Sequence, residues 1–354
     1  MTHDEIYNQL YETVVLTAPP GPILDMASKA HQVLSRHEKV MVAVSGGSDS
    51  DTMLDLFVRL DPLGKATYVY FNTGMEYEAT KRHLKELEEK YGIEIEWIDP
   101  VMPIPTCCRK YGVPFWSKFV SEYIYRLQQH NFQWEDEPFE VLIKKYPNCK
   151  AALRWWCNDY PQKDNGQPSS FNVNYTPWLK EYMMANPPPP TSAKCCEYAK
   201  KQPAKKYEAE QDFDLNCTGM RKAEKGKRST VHNTCFSKTN TGANTYRPLF
   251  WLTDADKQEY KEHYGLTYSD CYEVWGMKRT GCPGCPYGKE FEQELELMQK
   301  YEPKFYRAAL KIFGASYEYT RGYLRFREEM KMQKGSVNDT IDGQLSLFGE
   351  ESTS

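Results

Sequence analysis

The spacing of apolar positions changes several times along the chain, and those changes divide it. Val40-Met41-Val42-Ala43-Val44 is a run of apolar residues with no polar break, the pattern of a strand buried on both faces. Met53, Leu54, Leu56, Phe57 and Leu60 then fall on one face of a helix. Ala66-Thr67-Tyr68-Val69-Tyr70-Phe71 predicts a second strand, residues 78–91 a charged helix, and Ile93–Ile98 a third strand. Strands alternating with helices predict right-handed βαβ units, hence an α/β fold with a doubly wound parallel sheet whose ligands lie beyond the carboxyl ends of the strands. This α/β domain is expected over 38–290.

Outside the alternation the pattern is helical. Residues 1–37 place Ile6, Leu10, Val14 and then Ile23, Met26, Ala27 and Val33 at helical spacings, interrupted by Pro19-Pro20-Gly21-Pro22. From about 106 to 190 aromatic residues and prolines are dense and strand alternation stops. This predicts a helical insertion closed by Pro187–Pro190 acting as a stiff spacer. Helices are expected again over 291–335, and the small polar residues of 336–354 predict a disordered tail.

Composition narrows the class. The chain has 354 residues, of which 40% are hydrophobic and 27% charged, as in a globular protein with a sizeable core. No apolar run approaches the roughly 18 residues that cross a bilayer, and the acidic start Met-Thr-His-Asp-Glu lacks a secretory h-region. A cytoplasmic protein with no membrane contact is expected. Its net charge of −4 gives no global pull toward nucleic acid, although a local basic patch remains compatible with it. The eleven cysteines in such a chain read as metal ligands or reactive thiols rather than disulfides.

The chemistry centres on Ser45-Gly46-Gly47-Ser48-Asp49-Ser50, between the first strand and its helix. Glycines permit positive φ and close approach, and a helix N-terminus offers unpaired N–H groups and a positive dipole end, so the turn is an anion site. No Lys follows the glycines at Walker spacing. The segment resembles the SGGxDS loop of the PP-loop ATP pyrophosphatases, of adenine nucleotide alpha hydrolase-like fold. That resemblance implies that Ser45, Gly46, Gly47 and Ser48 cradle the terminal phosphates of ATP, that Ser50 adds a hydroxyl, and that Asp49 helps place Mg²⁺. Phe71-Asn72-Thr73-Gly74-Met75-Glu76-Tyr77 resembles the next segment of the PAPS (phosphoadenylyl sulfate) reductase branch of that superfamily, which adds Asn72, Thr73 and Gly74 as nucleotide contacts. That branch usually has Asp at the place of Asn72, so a metal role there is not carried over.

Two cysteine pairs lie far apart: Cys195-Cys196, and the CxxC of Cys282-Pro283-Gly284-Cys285. Four thiolates suit tetrahedral zinc or a [4Fe–4S] cluster. Tandem cysteines with a remote CxxC resemble the cluster motif of the iron–sulfur sulfonucleotide reductases, which implies a [4Fe–4S] cluster on Cys195, Cys196, Cys282 and Cys285, with Cys271 in reserve. Cys107, Cys108, Cys149 and Cys157 read as small core residues. Arg247-Pro248-Leu249-Phe250-Trp251-Leu252-Thr253-Asp254-Ala255-Asp256 and Tyr272-Glu273-Val274-Trp275-Gly276 are similar to segments of the same family. Between the pairs, Gly219-Met220-Arg221-Lys222 and the basic run to Arg228 suit a phosphate clamp, because guanidinium forks match phosphate oxygens. The resemblance implies that Gly219 and Arg221 contact the nucleotide, with Asp49, Arg221 and Arg228 as the groups serving catalysis. It covers roughly 38–100 and 190–290.

In the tail, Gln344-Leu345-Ser346-Leu347-Phe348 resembles the peptide by which bacterial proteins dock on the DNA polymerase sliding clamp. Gln344, Leu345, Leu347 and Phe348 would be the contacts; packing on the chain's own domain is the alternative. A sulfonucleotide reductase would need a further cysteine nucleophile on a C-terminal segment, and none follows Cys285 in the sequence. The resemblance therefore implies an adenylating enzyme. It would bind ATP with Mg²⁺, release pyrophosphate and prepare a substrate, expected to be nucleic acid, for sulfur from a donor protein, as in DNA phosphorothioation and tRNA thiolation. Sulfonucleotide reduction and a non-catalytic nucleotide-binding module are the alternatives.

Overall fold

A computed structural model describes residues 2–162, 165–224, 232–239, 242–288 and 290–347, leaving out the side chains of 3–4 and 334–347. The chain forms two compact units. The first comprises 1–106, 195–284 and 292–307, and the second 107–194, 285–291 and 308–354.

The first unit is built on a six-stranded sheet in the order β3-β2-β1-β4-β6-β5. Its strands are β1 (Val40–Val44), β2 (Ala66–Phe71), β3 (Ile95–Ile98), β4 (Leu215–Thr218), β5 (Phe236–Ser237) and β6 (Asn244–Tyr246). All neighbours are parallel except β5 and β6. The expected doubly wound α/β sheet is thus present, with β3 two residues shorter at its start than the pattern suggested. β1 lies between β2 and β4, so the order reverses there, and the crevice of a doubly wound sheet opens beyond the carboxyl ends of these strands.

Four helices fix the sheet: α1 (Pro22–Leu34), α2 (Ser48–Leu60), α3 (Glu78–Tyr91) and α4 (Asp254–Tyr264). Ile23, Ala27 and Leu34 of α1 and Met53, Leu54, Phe57 and Leu60 of α2 join Val40 and Val42 in one core. Each such large side chain contributes about 1.5–3 kcal/mol on burial. The carboxylate of Asp55 is buried against this core. Asp55 of α2 accepts from Arg59 (2.7 and 3.0 Å), from Tyr91 at the end of α3 (2.7 Å) and from Tyr260 of α4 (2.8 Å). Removing Asp55 would strand three donors, so it holds α2 in place between α3 and α4.

The second unit is helical, as expected for the insertion, with one isolated bridge between Val113 and Thr191. Its core gathers Phe115, Trp134, Trp155, Trp156, Leu179 and Tyr323. The proline run is not a free spacer. Gln128 Nε2 donates to the carbonyls of Pro188 (3.0 Å) and Pro189 (2.9 Å), and Val113 N–H donates to Pro190 O at 2.9 Å. Prolines have no N–H but keep their carbonyls, and an amide side chain and a strand-like neighbour satisfy these. An open cleft of 580 Å³ beside Tyr111, Tyr125 and Pro188 contains none of the candidate site residues.

Helices follow at Phe291–Tyr301 and Pro303–Leu347. The second runs through Gly335 and on to Leu347, into the stretch expected to be disordered. A helix satisfies its own backbone hydrogen bonds, although the Gly, Ser, Asn, Asp and Thr residues that dominate 335–347 are weak helix formers. No helix among the described residues is long and apolar enough to cross a membrane.

Candidate functional site

The loop after β1 and the segments after β4 and β6 all emerge at the same edge of the sheet, because these strands are parallel. Gly46 has φ +64°, and a Cβ there would lie 2.7 Å from Thr80 Cγ2 of α3, so only glycine makes this turn without strain. Gly47 is the N-cap of α2 and offers no side-chain cap, so the first-turn amides rely on groups beyond the helix, among them Tyr272 OH, which bonds the Ser48 backbone. A Cβ on Gly47 would meet three hydroxyls, Thr280 Oγ1 at 3.2 Å and Ser45 Oγ and Tyr272 OH at 3.3 Å. Tyr272 OH and Thr280 Oγ1 lie 3.0 Å apart, and Thr280 N–H donates to Tyr272 OH at 3.0 Å. The turn is a small cradle of hydroxyls and amides at a helix N-terminus, an arrangement suited to phosphate.

Asp49, in the first turn of α2, is the electrostatic centre. Its Oδ1 accepts from Arg221 Nε at 2.9 Å and from Lys257 Nζ at 2.8 Å, and Lys257 also donates to Ser48 Oγ at 2.9 Å. Burial pushes the Asp49 carboxyl up, but hydrogen bonds from Glu224 and Lys257 and the charges of Lys257 and Arg221 hold it below the usual carboxylate range. Glu224 is affected oppositely: burial and the neighbouring Asp49 carboxylate push it up to about 7. Below about pH 7 the pair therefore holds one negative charge, with the proton on Glu224, and a second charge appears as pH rises through that value.

Arg221, 5% exposed, spends its guanidinium on Asp49, on Asp254 Oδ1 at 2.8 Å and on Leu252 O at 3.4 Å. It positions the acid of the loop, and its fork is engaged by protein rather than held open as a clamp. Gly219 is required by proximity, since a Cβ there would lie 3.0 Å from Asp49 O and 3.2 Å from Ser50 N. Behind the loop, Asp51 and His83 are buried and bonded at 2.8 Å; burial raises Asp51, while Asp51 lifts His83 against the effect of its own burial.

Sequence reasoning missed Lys257, Glu224, Tyr272 and Thr280. Lys257 follows a capping box, Thr253 with Asp256, that marks the start of α4 in the sequence. Among the residues that were expected, Ser45, Gly46, Gly47, Ser48, Asp49, Gly219 and Arg221 come together. Ser50 is turned inward, its Oγ accepting from Ser45 N–H at 2.8 Å. Asn72, Thr73 and Gly74 spend their polar groups on neighbouring protein groups: Asn72 Oδ1 accepts from Gly74 N–H (2.9 Å), Asn72 Nδ2 donates to Asp99 beyond β3 (3.1 Å), and Thr73 N–H donates to Glu76 (2.7 Å). Arg228 and Phe348 lie outside the described residues, and Gln344, Leu345 and Leu347 have described backbone only, in the last turn of the final helix.

Cys195, Cys196 and Cys282 belong to the first unit and Cys285 to the second. Within the first unit Cys196 lies close enough to Cys282 to disfavour its thiolate. Burial raises Cys282 first, Lys200 opposes, and Cys196 adds to the rise. Among the described residues no group of three or more His, Cys, Asp and Glu side chains is arranged to hold a metal ion. The reserve ligand, Cys271, is fully buried beside Thr80, and burial pushes its thiol up to about 11.

Residues 39–149 match the family model of the phosphoadenosine phosphosulfate reductase domain. An uncharacterized protein of Methanocaldococcus jannaschii is 25% identical over 272 residues, which are 75% of this chain but 39% of that protein, so the chain spans well under half of its relative. Among solved structures, phosphoadenylyl-sulfate (PAPS) reductase from Candida auris in its phosphate complex aligns at 13% identity and TM-score 0.40, over 80% of this chain and 96% of that one. The U34-tRNA thiolase NcsA from Methanococcus maripaludis, with its [4Fe-4S] cluster, aligns at 15% identity and TM-score 0.36, over 87% of this chain and 80% of that one.

Proposed function

Since residues 39–149 belong to the phosphoadenosine phosphosulfate reductase domain family, we propose that this chain binds ATP at the Ser45–Ser48 turn and adenylates an acceptor with release of pyrophosphate, as a step of sulfur insertion into nucleic acid. The observation that carries the reading is Lys257, whose ammonium reaches both Ser48 Oγ and Asp49 beside the first-turn amides of α2. A cation and helix N-terminal amides at one point suit a pyrophosphate leaving group. An acceptor oxygen attacks the α-phosphorus, the bond from that phosphorus to the β-phosphate bridging oxygen breaks, and the electron pair leaves on pyrophosphate. Positioning and charge neutralisation are most of what such a displacement requires. Mg²⁺, when bound, would supply further neutralisation of the phosphates, with Asp49 and Glu224 the nearby oxygen donors. Sulfur from a donor protein then displaces AMP from the adenylated centre.

The test is an anaerobic assay of pyrophosphate release from ATP against reduction of adenylyl sulfates, each with and without nucleic acid. Pyrophosphate release stimulated by nucleic acid supports the reading. Reduction of a sulfonucleotide, the activity after which the matching domain is named, replaces it, and neither activity leaves a nucleotide-binding module. A [4Fe–4S] cluster on Cys195, Cys196, Cys282 and Cys285 remains part of the proposal on the spacing of the motif alone, and no step above depends on it. The Gln344–Phe348 segment as a sliding-clamp peptide is likewise proposed from sequence; binding of a peptide spanning it to a bacterial clamp, lost when Leu347 and Phe348 become Ala, is its test.

A further inference from the structure

One feature of the site's rim has no part in holding phosphate. Trp251 is 49% exposed, on the segment after β6 that also carries the Arg221 partners Leu252 and Asp254. Its ring is held from behind by the fully buried Phe250, edge-on at 4.8 Å between centroids. Lys222 places its ammonium 4.9 Å from the centroid of the Trp251 ring, and Lys222 N–H donates to Phe250 O at 2.9 Å. The exposed indole and its cation are thus fixed to the two segments that position Asp49. Arg279, also exposed, lies near enough to Glu224 to lower its proton affinity.

We propose that Trp251 and Lys222 form a docking point for single-stranded nucleic acid, the indole stacking on one base while Lys222 pairs with an adjacent phosphate. Leaving an indole half in water has a hydrophobic cost that the fold could avoid, and a base recovers it. Every base has a π-face, so the contact reads no sequence; the adjoining ammonium favours a polyanion over an apolar peptide. The proposal rests on the reading of the neighbouring loop as the nucleotide site and names the acceptor's anchoring residues. It places the acceptor beside the segments that position Asp49.

Fluorescence anisotropy with labelled oligothymidylate and oligouridylate tests this on the full chain, with ATP affinity measured separately by calorimetry. Trp251→Ala should weaken oligonucleotide binding about 5- to 150-fold, the loss of one stacked base. Trp251→Phe should keep most of the affinity, which a folding defect would not explain. Lys222→Met should reduce the slope of log affinity against log salt by about 0.7, one phosphate contact on a single strand. A preference between the two oligonucleotides identifies the acceptor as DNA or RNA. Oligonucleotide affinity unchanged in Trp251→Ala overturns the proposal, as does a loss confined to ATP, which would put the indole on adenine. If the wild-type chain releases no pyrophosphate yet binds oligonucleotide through Trp251, the adenylation reading fails and the docking point stands.

Discussion

Gly219→Ala is the sharpest test of the loop's geometry. The added Cβ would lie 3.0 Å from Asp49 O, 3.1 Å from Asp49 C and 3.2 Å from Ser50 N. All three atoms are backbone at the start of α2, so no side chain can swing aside. Either β4 or the helix N-terminus must move by a few tenths of an ångström. Overpacking of this kind costs about 1–3 kcal/mol, which for a unit of this size lowers the melting temperature by roughly 2–12 °C. The same shift displaces the amides of the cradle, so ATP affinity should fall at least tenfold, about 1.4 kcal/mol. Gly314→Ala is the control. A Cβ there meets nothing within 4 Å, and it lies inside the helix Pro303–Leu347, so it should stabilise by about 0.5–1 kcal/mol and leave ATP binding alone. Differential scanning fluorimetry and calorimetric titration with MgATP read both effects. Wild-type melting and wild-type ATP affinity in Gly219→Ala would refute the argument, because the loop would then be neither tightly packed there nor the ATP site.

Three other outcomes follow from the same geometry. Lys257→Met removes a charged hydrogen bond to Asp49 and another to Ser48, and should weaken ATP binding by about 1–3 kcal/mol while the far-UV circular dichroism stays unchanged. Glu224 titrates at about 7 when folded, above its ordinary 4.5, so the folded state binds the proton more tightly. That stability is present at low pH and is lost as pH rises through about 7; Glu224→Gln, measured by chemical denaturation without divalent ions, should flatten this decline, and an unchanged profile would assign it elsewhere. Anaerobically purified protein should carry about four iron and four sulfide per chain, lost in Cys282→Ser and retained in Cys149→Ser; stoichiometric zinc without iron would replace the cluster.

The strands and helices from β1 to α3 were legible because each has one dominant period: continuous apolar for the strands, a single apolar face for the helices. The later strands were not. Leu215–Thr218 is four residues long and mixes Asn and Thr with its apolar positions, and β5 has only two residues, so neither offers a period to detect. The cradle itself was legible because glycines, serines and an acid at a strand–helix junction have few other uses. Lys257 was hidden because its partner Asp49 is 208 residues away, and a Lys on a charged helix looks like any surface Lys. Asn72 and Ser50 went the other way. Their side chains suit a ligand, but short polar side chains bond their own turn as readily, and that local geometry won here. The cysteine spacing gave the pairs, but whether the pairs meet is a tertiary matter that spacing does not encode.

The charge around Asp49 bears on which reaction the site suits. Arg221 and Lys257 are offset by Asp49 and Asp254, and the partial charge of Glu224, which titrates at about 7, faces Arg279, so the cluster as built carries little net charge. Arg221 has no fork left over for a ligand, because both sides of its guanidinium are engaged by carboxylates. A balanced cluster cannot by itself neutralise a triphosphate, and the helix N-terminus adds only about half a charge. The nucleotide must then bring its own cation, which is how ATP occurs in the cell, whereas an adenylyl sulfate carries less charge and needs less help. A proton on Glu224 keeps the carboxylate pair from repelling the incoming phosphates, and a divalent ion arriving with them could take the place of that proton. The same two carboxylates then serve in both states, sharing the one proton on Glu224 when the loop is empty below about pH 7 and cation-bound when it is filled, so nucleotide binding in that range should release a proton where a metal-independent substrate would not.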